Sequence, residues 1–438
     1  MATMTTISFN YYNFLKFSLG FILIGNLARS ASKTMSSVFE LAILIALLSM
    51  ALIYLSENFK IKSRHTLIFF IFLSYLMAHT IFASVYRPIE LNGTFYEILF
   101  YNLSEFRLST LGYFLPLVFI PIIGNNTLNL EKFIITLLKV VIIYSLIEQT
   151  LSLLGLRTLF ETLYMSSGVV SDNLIGVKSL GMYRIWGLIG SPQLLGVFHL
   201  ISLIYFLDKK ERIWSAFSII AIIISTSKTA YALLIIYVFV YLIQKRYYFA
   251  LLFLLLIFSA IAAVIINFYL YYTEMNMTED YPNFIKVIGS VHGYFLLALN
   301  YAESSAPERF IAGGPLYQFI QYFSVNPLEI FFGKGITYSI YQDTSSLVIA
   351  PYHYLTSDYY ILTFFEQYGL LGLFLISYVF FYYPLKSAFN SNALYYGVPI
   401  IFFLSMFHYP PQISKLMMII VSFAIYKIYL IKKEQNVN

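Results

Sequence analysis

Apolar runs of about twenty residues follow one another along almost the whole chain, and that repetition leaves few folds open. A helix needs roughly 20 apolar residues to cross about 30 Å of hydrocarbon, and by that measure the sequence predicts about twelve membrane helices. The first five lie near residues 9–28, 36–56, 66–86, 109–125 and 132–156. Four more lie near 185–207, 212–227, 229–244 and 248–271, and the last three near 356–384, 394–409 and 413–431. The early stretch NFLKFSLGFILIGNLA reads as a first span rather than a cleaved signal, because the later spans need it for their orientation.

Hydrophobic residues make up 60% of the 438 and charged residues 11%, too little polar surface for a soluble chain. The expected fold class is therefore an all-α polytopic membrane protein, a single transmembrane domain over residues 1–438. Many of the 40 Tyr suit the membrane interface, where a ring with one polar end is favoured. The lack of Cys excludes disulfides, thiolate-bound zinc and thiol catalysis. The net charge of +6 is scattered between spans rather than clustered, which argues against a nucleic-acid partner.

Lys and Arg set the orientation. Lys60, Lys62 and Arg64 share one short loop, Lys209, Lys210 and Arg212 another, and Lys245 with Arg246 a third. With twelve spans these loops, Lys386, the pair Lys432 and Lys433 and both termini fall on one face, predicted to be cytoplasmic. Arg29 and Lys33 fall on the other face and break the rule. That other face also receives loops at 87–108 and 157–183 and a long one at 273–355, inserted between the ninth and tenth spans. No internal repeat divides the chain into the two symmetric halves of many transporters.

Basic residues that remain outside need a reason. Arg184, in YRIWGLIGSPQLLG, is read as gripping phosphate bidentately, or as an interfacial Arg that snorkels to headgroups. Gly190, Ser191, Pro192 and Gly196 interrupt the span that follows, and such breaks line cavities rather than face lipid. Lys228, in STSKTAY, sits at the external tip of two tightly joined spans and suits an anionic head group, although snorkelling explains it equally well. Within the long loop, Arg309 opens a predicted short helix along the membrane, and Lys334 in NPLEIFFGKGI reads as ordinary loop.

His353 stands before the tenth span among Tyr352, Tyr354, Ser357 and Asp358, and an imidazole there can take a proton near neutral pH. Asp358 is its candidate orienting partner, although five residues apart is poor spacing for one helix face. Glu366 lies inside an apolar run, where a carboxylate is costly unless paired, and Gly369 and Gly372 favour close helix packing. Lys16, Glu40, His79, Lys139, Glu148 and His199 are further intramembrane ionisable residues without an assigned role, Glu148 and Lys139 being a possible structural pair. No metal-ligand spacing and no P-loop appears, so neither metal nor cofactor is expected.

Three of these stretches, taken in order, resemble the O-antigen polymerase and ligase superfamily. YRIWGLIGSPQLLG is similar to its Arg-containing segment, STSKTAYALLIIY to its Ser-Lys helix tip, and PYHYLTSDYYILTFFEQYGLLGLFL to its closing signature. The resemblance covers about residues 180 to 385. It implies a metal-independent, inverting glycosyltransferase of GT-C architecture in the bacterial inner membrane, with its active site facing the periplasm. The implied partners are donor and acceptor oligosaccharides on undecaprenyl diphosphate, membrane lipids, and a flippase and chain-length regulator. Arg184 and Arg309 match the arginines that bind donor diphosphate or sugar, and His353 the His that activates the acceptor hydroxyl. Lys228, Asp358 and Glu366 complete the substrate-binding candidates. The expected function is polymerisation of O-antigen repeats, the alternatives being a ligase that moves the glycan onto lipid A-core and a polysaccharide flippase.

Overall fold

The computed structural model describes residues 11–23, 33–58, 63–85, 94–106, 110–122, 125–166, 178–179, 182–274, 327–335, 360–391, 393–408, 411 and 414–430. Those residues are overwhelmingly helical, with one two-residue hairpin in which Lys178–Ser179 pairs antiparallel with Met182–Tyr183. Among them, Val38–Glu57, Arg64–Ala83 and Tyr360–Phe389 are long and apolar enough to cross a membrane. Shorter apolar helices include Pro192–Asp208, Arg212–Ile224 and Lys228–Gln244. Large apolar side chains also point outward: Phe249 is 91% exposed, with Phe100, Leu252, Phe253 and Phe374 also exposed. A water-soluble surface does not tolerate such density, whereas lipid does.

Several predicted spans are reshaped. Leu111–Phe119 winds as a 3-10 helix where a span over 109–125 was expected. Pro116 lies inside it and donates no hydrogen bond, and the phenol of Tyr11 satisfies the carbonyl of Val118 at 2.6 Å. The loop expected at 87–108 contains the helix Phe95–Glu105. Its start is a reciprocal cap: Thr94 N–H donates to Glu97 Oε2 at 2.8 Å, and Glu97 N–H to Thr94 Oγ1 at 3.3 Å. That amide holds the Glu97 carboxyl below the usual range. The tenth span runs as Tyr360–Ser377, a π turn at Tyr378–Tyr382, then Tyr383–Phe389.

Contacts sort the bundle into two ends. At one, Glu131 bridges Lys209 (2.9 Å) and Lys427 (2.8 Å), and Lys139 pairs with Glu211 at 2.6 Å. There too Thr66 donates to the Tyr429 carbonyl, the Gln244 amide to those of Ala388 and Ser391, and His65 stacks on Tyr383 at 3.9 Å. These links draw together the turns carrying Arg64, Lys209, Lys245 and Lys386, the shared face expected from charge. Helices Arg64–Val85, Asn125–Leu153, Pro192–Asp208 and Lys228–Gln244 all reach this end. Their other ends carry His79, Glu148, Pro192 and Lys228 away from it.

At the far end the chain around Lys334 turns into the bundle, which corrects the ordinary-loop reading of that residue. Helix Pro327–Phe332 is followed by Gly333, Lys334 and Gly335, all buried. The amide of Lys334 donates to the Glu366 carbonyl at 2.8 Å and that of Gly335 to the Gln367 carbonyl at 3.1 Å. Helix Tyr360–Ser377 can receive them because it breaks at Gly369, where φ is 65° and ψ is −171°, a region essentially reserved for glycine. A Cβ at Gly369 would also strike the Phe331 carbonyl. Tyr75 closes the break by donating to the Tyr368 carbonyl at 2.6 Å, and His79 Nε2 lies 2.6 Å from the Phe332 carbonyl oxygen. Gly369 thus makes a turn as well as the close packing expected of it. Gly369→Ala should lower stability by about 2 kcal/mol or more, given roughly 1–3 kcal/mol of backbone strain plus the collision. Gly20→Ala, with nothing within 4 Å, should be neutral. Thermal unfolding of the purified protein checks both, and equal melting temperatures would refute the break.

Candidate functional site

The segment that carries Arg184 is held from below by a buried carboxylate. Glu148, fully buried in Asn125–Leu153, accepts the Trp186 amide on Oε1 at 3.0 Å and the Gly187 amide on Oε2 at 2.9 Å. Two charge-assisted bonds of this kind fix a non-helical segment that would otherwise leave bare amides at membrane depth. Glu148 and Lys139 do not form the pair considered from the sequence, because Lys139 turns to Glu211 at the opposite end. Above Glu148, Gly187 (φ 56°) and Gly190 (φ 80°) bend the chain, and Pro192 restarts it as a helix at a position where its missing N–H costs nothing.

This helix meets the Lys228 turn at Gly196. A Cβ there would sit 2.5 Å from Ser227 Cβ and 2.7 Å from Ser225 Oγ, so only glycine allows the approach. Ser227 caps the next helix by accepting the Ala230 amide at 3.3 Å, and its hydroxyl donates to the Gln193 carbonyl at 3.2 Å. Lys228 follows at the first helical position, exposed, and close enough to Arg184 for their positive charges to interact. The first two motifs are therefore one site.

The same turn reaches the third motif. Thr229 Oγ1 lies 2.9 Å from His408 Nδ1, and two residues earlier the Met406 carbonyl accepts the Ile361 amide at 2.7 Å. Ile361 is in the first turn of the helix that carries Glu366. Glu366 is fully buried, and its own backbone carbonyl receives Lys334. Lys334 lies 3.6 Å from Glu329 Oε2, so among the described residues this side of the far end carries a buried ion pair. Of the candidate residues, Arg184, Lys228 and Glu366 are described, whereas Arg309, His353 and Asp358 lie outside the described residues.

Two residues join this end without having been singled out. Arg157, 7% exposed, donates from Nε to Glu161 at 3.1 Å and from Nη2 to the Arg184 carbonyl at 3.2 Å, with its guanidinium 4.6 Å from the Tyr183 ring centre. His408 ends an apolar helix in MFHYPP, and only the fold brings it to Thr229. Among the described residues, Arg157 Nη1 and Arg184 Nε are buried without a hydrogen-bond partner. Guanidinium donors left over in this way suit an oxyanion. Among the described residues no three His, Asp or Glu side chains gather as metal ligands. A shallow concavity of about 430 Å³, walled by Leu207, Arg212, Ser215 and Ile219, lies at the opposite end, far from these groups.

The remaining intramembrane charges have structural partners: Glu40 pairs with Lys415 at 2.9 Å, Lys16 lies 5.3 Å from the Tyr12 ring centre, and His199 Nε2 meets Ser145 at 3.1 Å. No protein-family model matches the chain, and no curated protein matches it. The dependence of Arg184 on Glu148 is testable. Glu148→Ala strands two buried amides, at about 1–3 kcal/mol each, and should speed hydrogen exchange at residues 182–190, with Glu148→Gln intermediate. Unaltered exchange there in the Ala variant would remove Glu148 from this role.

Proposed function

We propose that this chain is an O-antigen polymerase, a glycosyltransferase that joins oligosaccharide repeats carried on undecaprenyl diphosphate. The observation that carries the reading is the meeting of the first two motifs with the described part of the third, from Tyr360 onward, at one end of the bundle. Arg184 and Lys228 interact there, and the helix that follows His353 and Asp358 in the chain starts beside them through Ile361, Met406 and His408. In this reading the chain has about twelve spans in a GT-C arrangement. The end rich in Lys and Arg faces the cytoplasm, and the site faces the periplasm of the bacterial inner membrane.

The chemistry is a single displacement. The acceptor hydroxyl oxygen of a lipid-linked repeat forms a bond to the anomeric carbon of the growing chain. The bond from that carbon to the diphosphate breaks, and undecaprenyl diphosphate leaves with the electron pair. Attack from the opposite face inverts the configuration. His353 takes the hydroxyl proton, with Asp358 orienting its ring. Arg184, Lys228 and Arg309 bind the diphosphate, whose charge grows as the bond breaks, in a partly desolvated place where fixed cations act strongly. Glu366 is a further substrate-binding side chain, on the buried helix that begins at Tyr360.

Deleting the gene should leave lipid A-core capped by a single repeat. Uncapped core with polymer stranded on the carrier would instead identify a ligase, and loss of all export a flippase. Arg184→Ala, Arg309→Ala and His353→Ala should each abolish the polymer ladder at unchanged protein level, read by gel and immunoblot. A normal ladder from His353→Ala would end its role as base.

A further inference from the structure

Arg157 is placed where stability alone would not put it. It opens helix Arg157–Ser166, so its charge sits at the positive end of the helix dipole, and its side chain is more than nine-tenths buried. The planar guanidinium presents Nε and Nη2 along one edge and Nη1 with Nη2 along the other. The first edge is filled by the Glu161 carboxylate at 3.1 Å and the Arg184 carbonyl at 3.2 Å. One face is covered by the Tyr183 ring. The second edge is left over: Nη1 is buried and, among the described residues, has no partner. The same holds for Nε of Arg184, whose backbone Arg157 itself grips. Buried donors of charged groups are costly when unmet, and two arginines joined through the Arg184 backbone each leave one unmet.

We propose that Arg157 is an anion-binding residue that, together with Arg184, clamps a phosphoryl group, namely that of the lipid diphosphate. This rests on the reading of the site as one for a lipid-linked donor. Arg157 has two tasks: its filled edge fixes the Arg184 backbone, and its open edge takes phosphoryl oxygens bidentately, which the point charge of lysine does not reproduce. A phosphoryl anion also occurs on bulk phospholipid, so the source must be separated by experiment.

The test uses the full chain in phosphatidylcholine nanodiscs, titrated with undecaprenyl diphosphate and, separately, with phosphatidylglycerol. Arg157→Lys and Arg157→Ala should each weaken undecaprenyl diphosphate by about tenfold or more. Lys139→Gln, whose partner Glu211 lies at the opposite end, should bind as the wild type does. The Lys variant, with charge and bulk kept, should melt near wild type and carries the test if the Ala variant fails to fold. Loss of phosphatidylglycerol binding instead would keep the anion site but assign it to bulk headgroups. Unchanged affinity for both lipids in Arg157→Lys overturns the proposal. If Arg184→Ala still abolishes undecaprenyl diphosphate binding in that case, the functional reading stands without Arg157. A wild-type chain that binds no undecaprenyl diphosphate overturns the functional reading itself, and the phosphatidylglycerol titration then decides Arg157 alone.

Discussion

A peptide group left bare in hydrocarbon costs several kcal/mol, and the architecture of this protein follows from where it meets that cost. Three described interruptions of helix are closed by specific neighbours. Glu148 takes the amides of Trp186 and Gly187. The amides of Lys334 and Gly335 take the carbonyls that the Gly369 break exposes, while Tyr75 takes that of Tyr368. Tyr11 takes the carbonyl of Val118 beside Pro116. Polar side chains buried at these points serve first to permit irregular backbone, and only through that backbone do they serve a site.

That constraint explains why the cations converge. Two of the three breaks lie at the end away from the Lys209–Glu131–Lys427 cluster. Irregular backbone there lets Arg184 leave the helical register and lets Gly196 bring its helix onto the Ser225–Ser227 turn. A continuous helix through residues 185–207 would have no bend to hold Arg184 over Glu148. The broken segment makes the positively charged surface possible.

Much of the fold was legible because periodicity and length are local properties. The spans at 36–56, 66–86 and 229–244 correspond to helices Lys33–Asn58, Arg64–Val85 and Lys228–Gln244. The sharing of one end by the basic turns was legible too, since the orientation rule needs only their spacing. The 3-10 winding of Leu111–Phe119 was not, because it depends on Tyr11 and on Met418 packing against Gly112. Lys334 looked like loop because its burial is imposed by a helix break some thirty residues later, at Gly369. Of the site, the Arg184 and Lys228 motifs were readable from interrupted apolar runs. Arg157 and His408 were not, as each is a single polar residue at a helix end until the fold supplies Arg184 and Thr229 as neighbours.

The electrostatics of this end argue for a ligand of high negative charge. Arg184 and Lys228 repel one another, and Arg157 is tied to the Arg184 backbone. Glu161 pairs with Arg157, and Glu148 is engaged by two backbone amides. Neighbouring like charges cost least in water and more as the surroundings become less polar. If the proposed donor binds here, its diphosphate meets these cations, and more strongly as its bond to the sugar breaks and its charge rises, which would favour the departing group over the bound substrate.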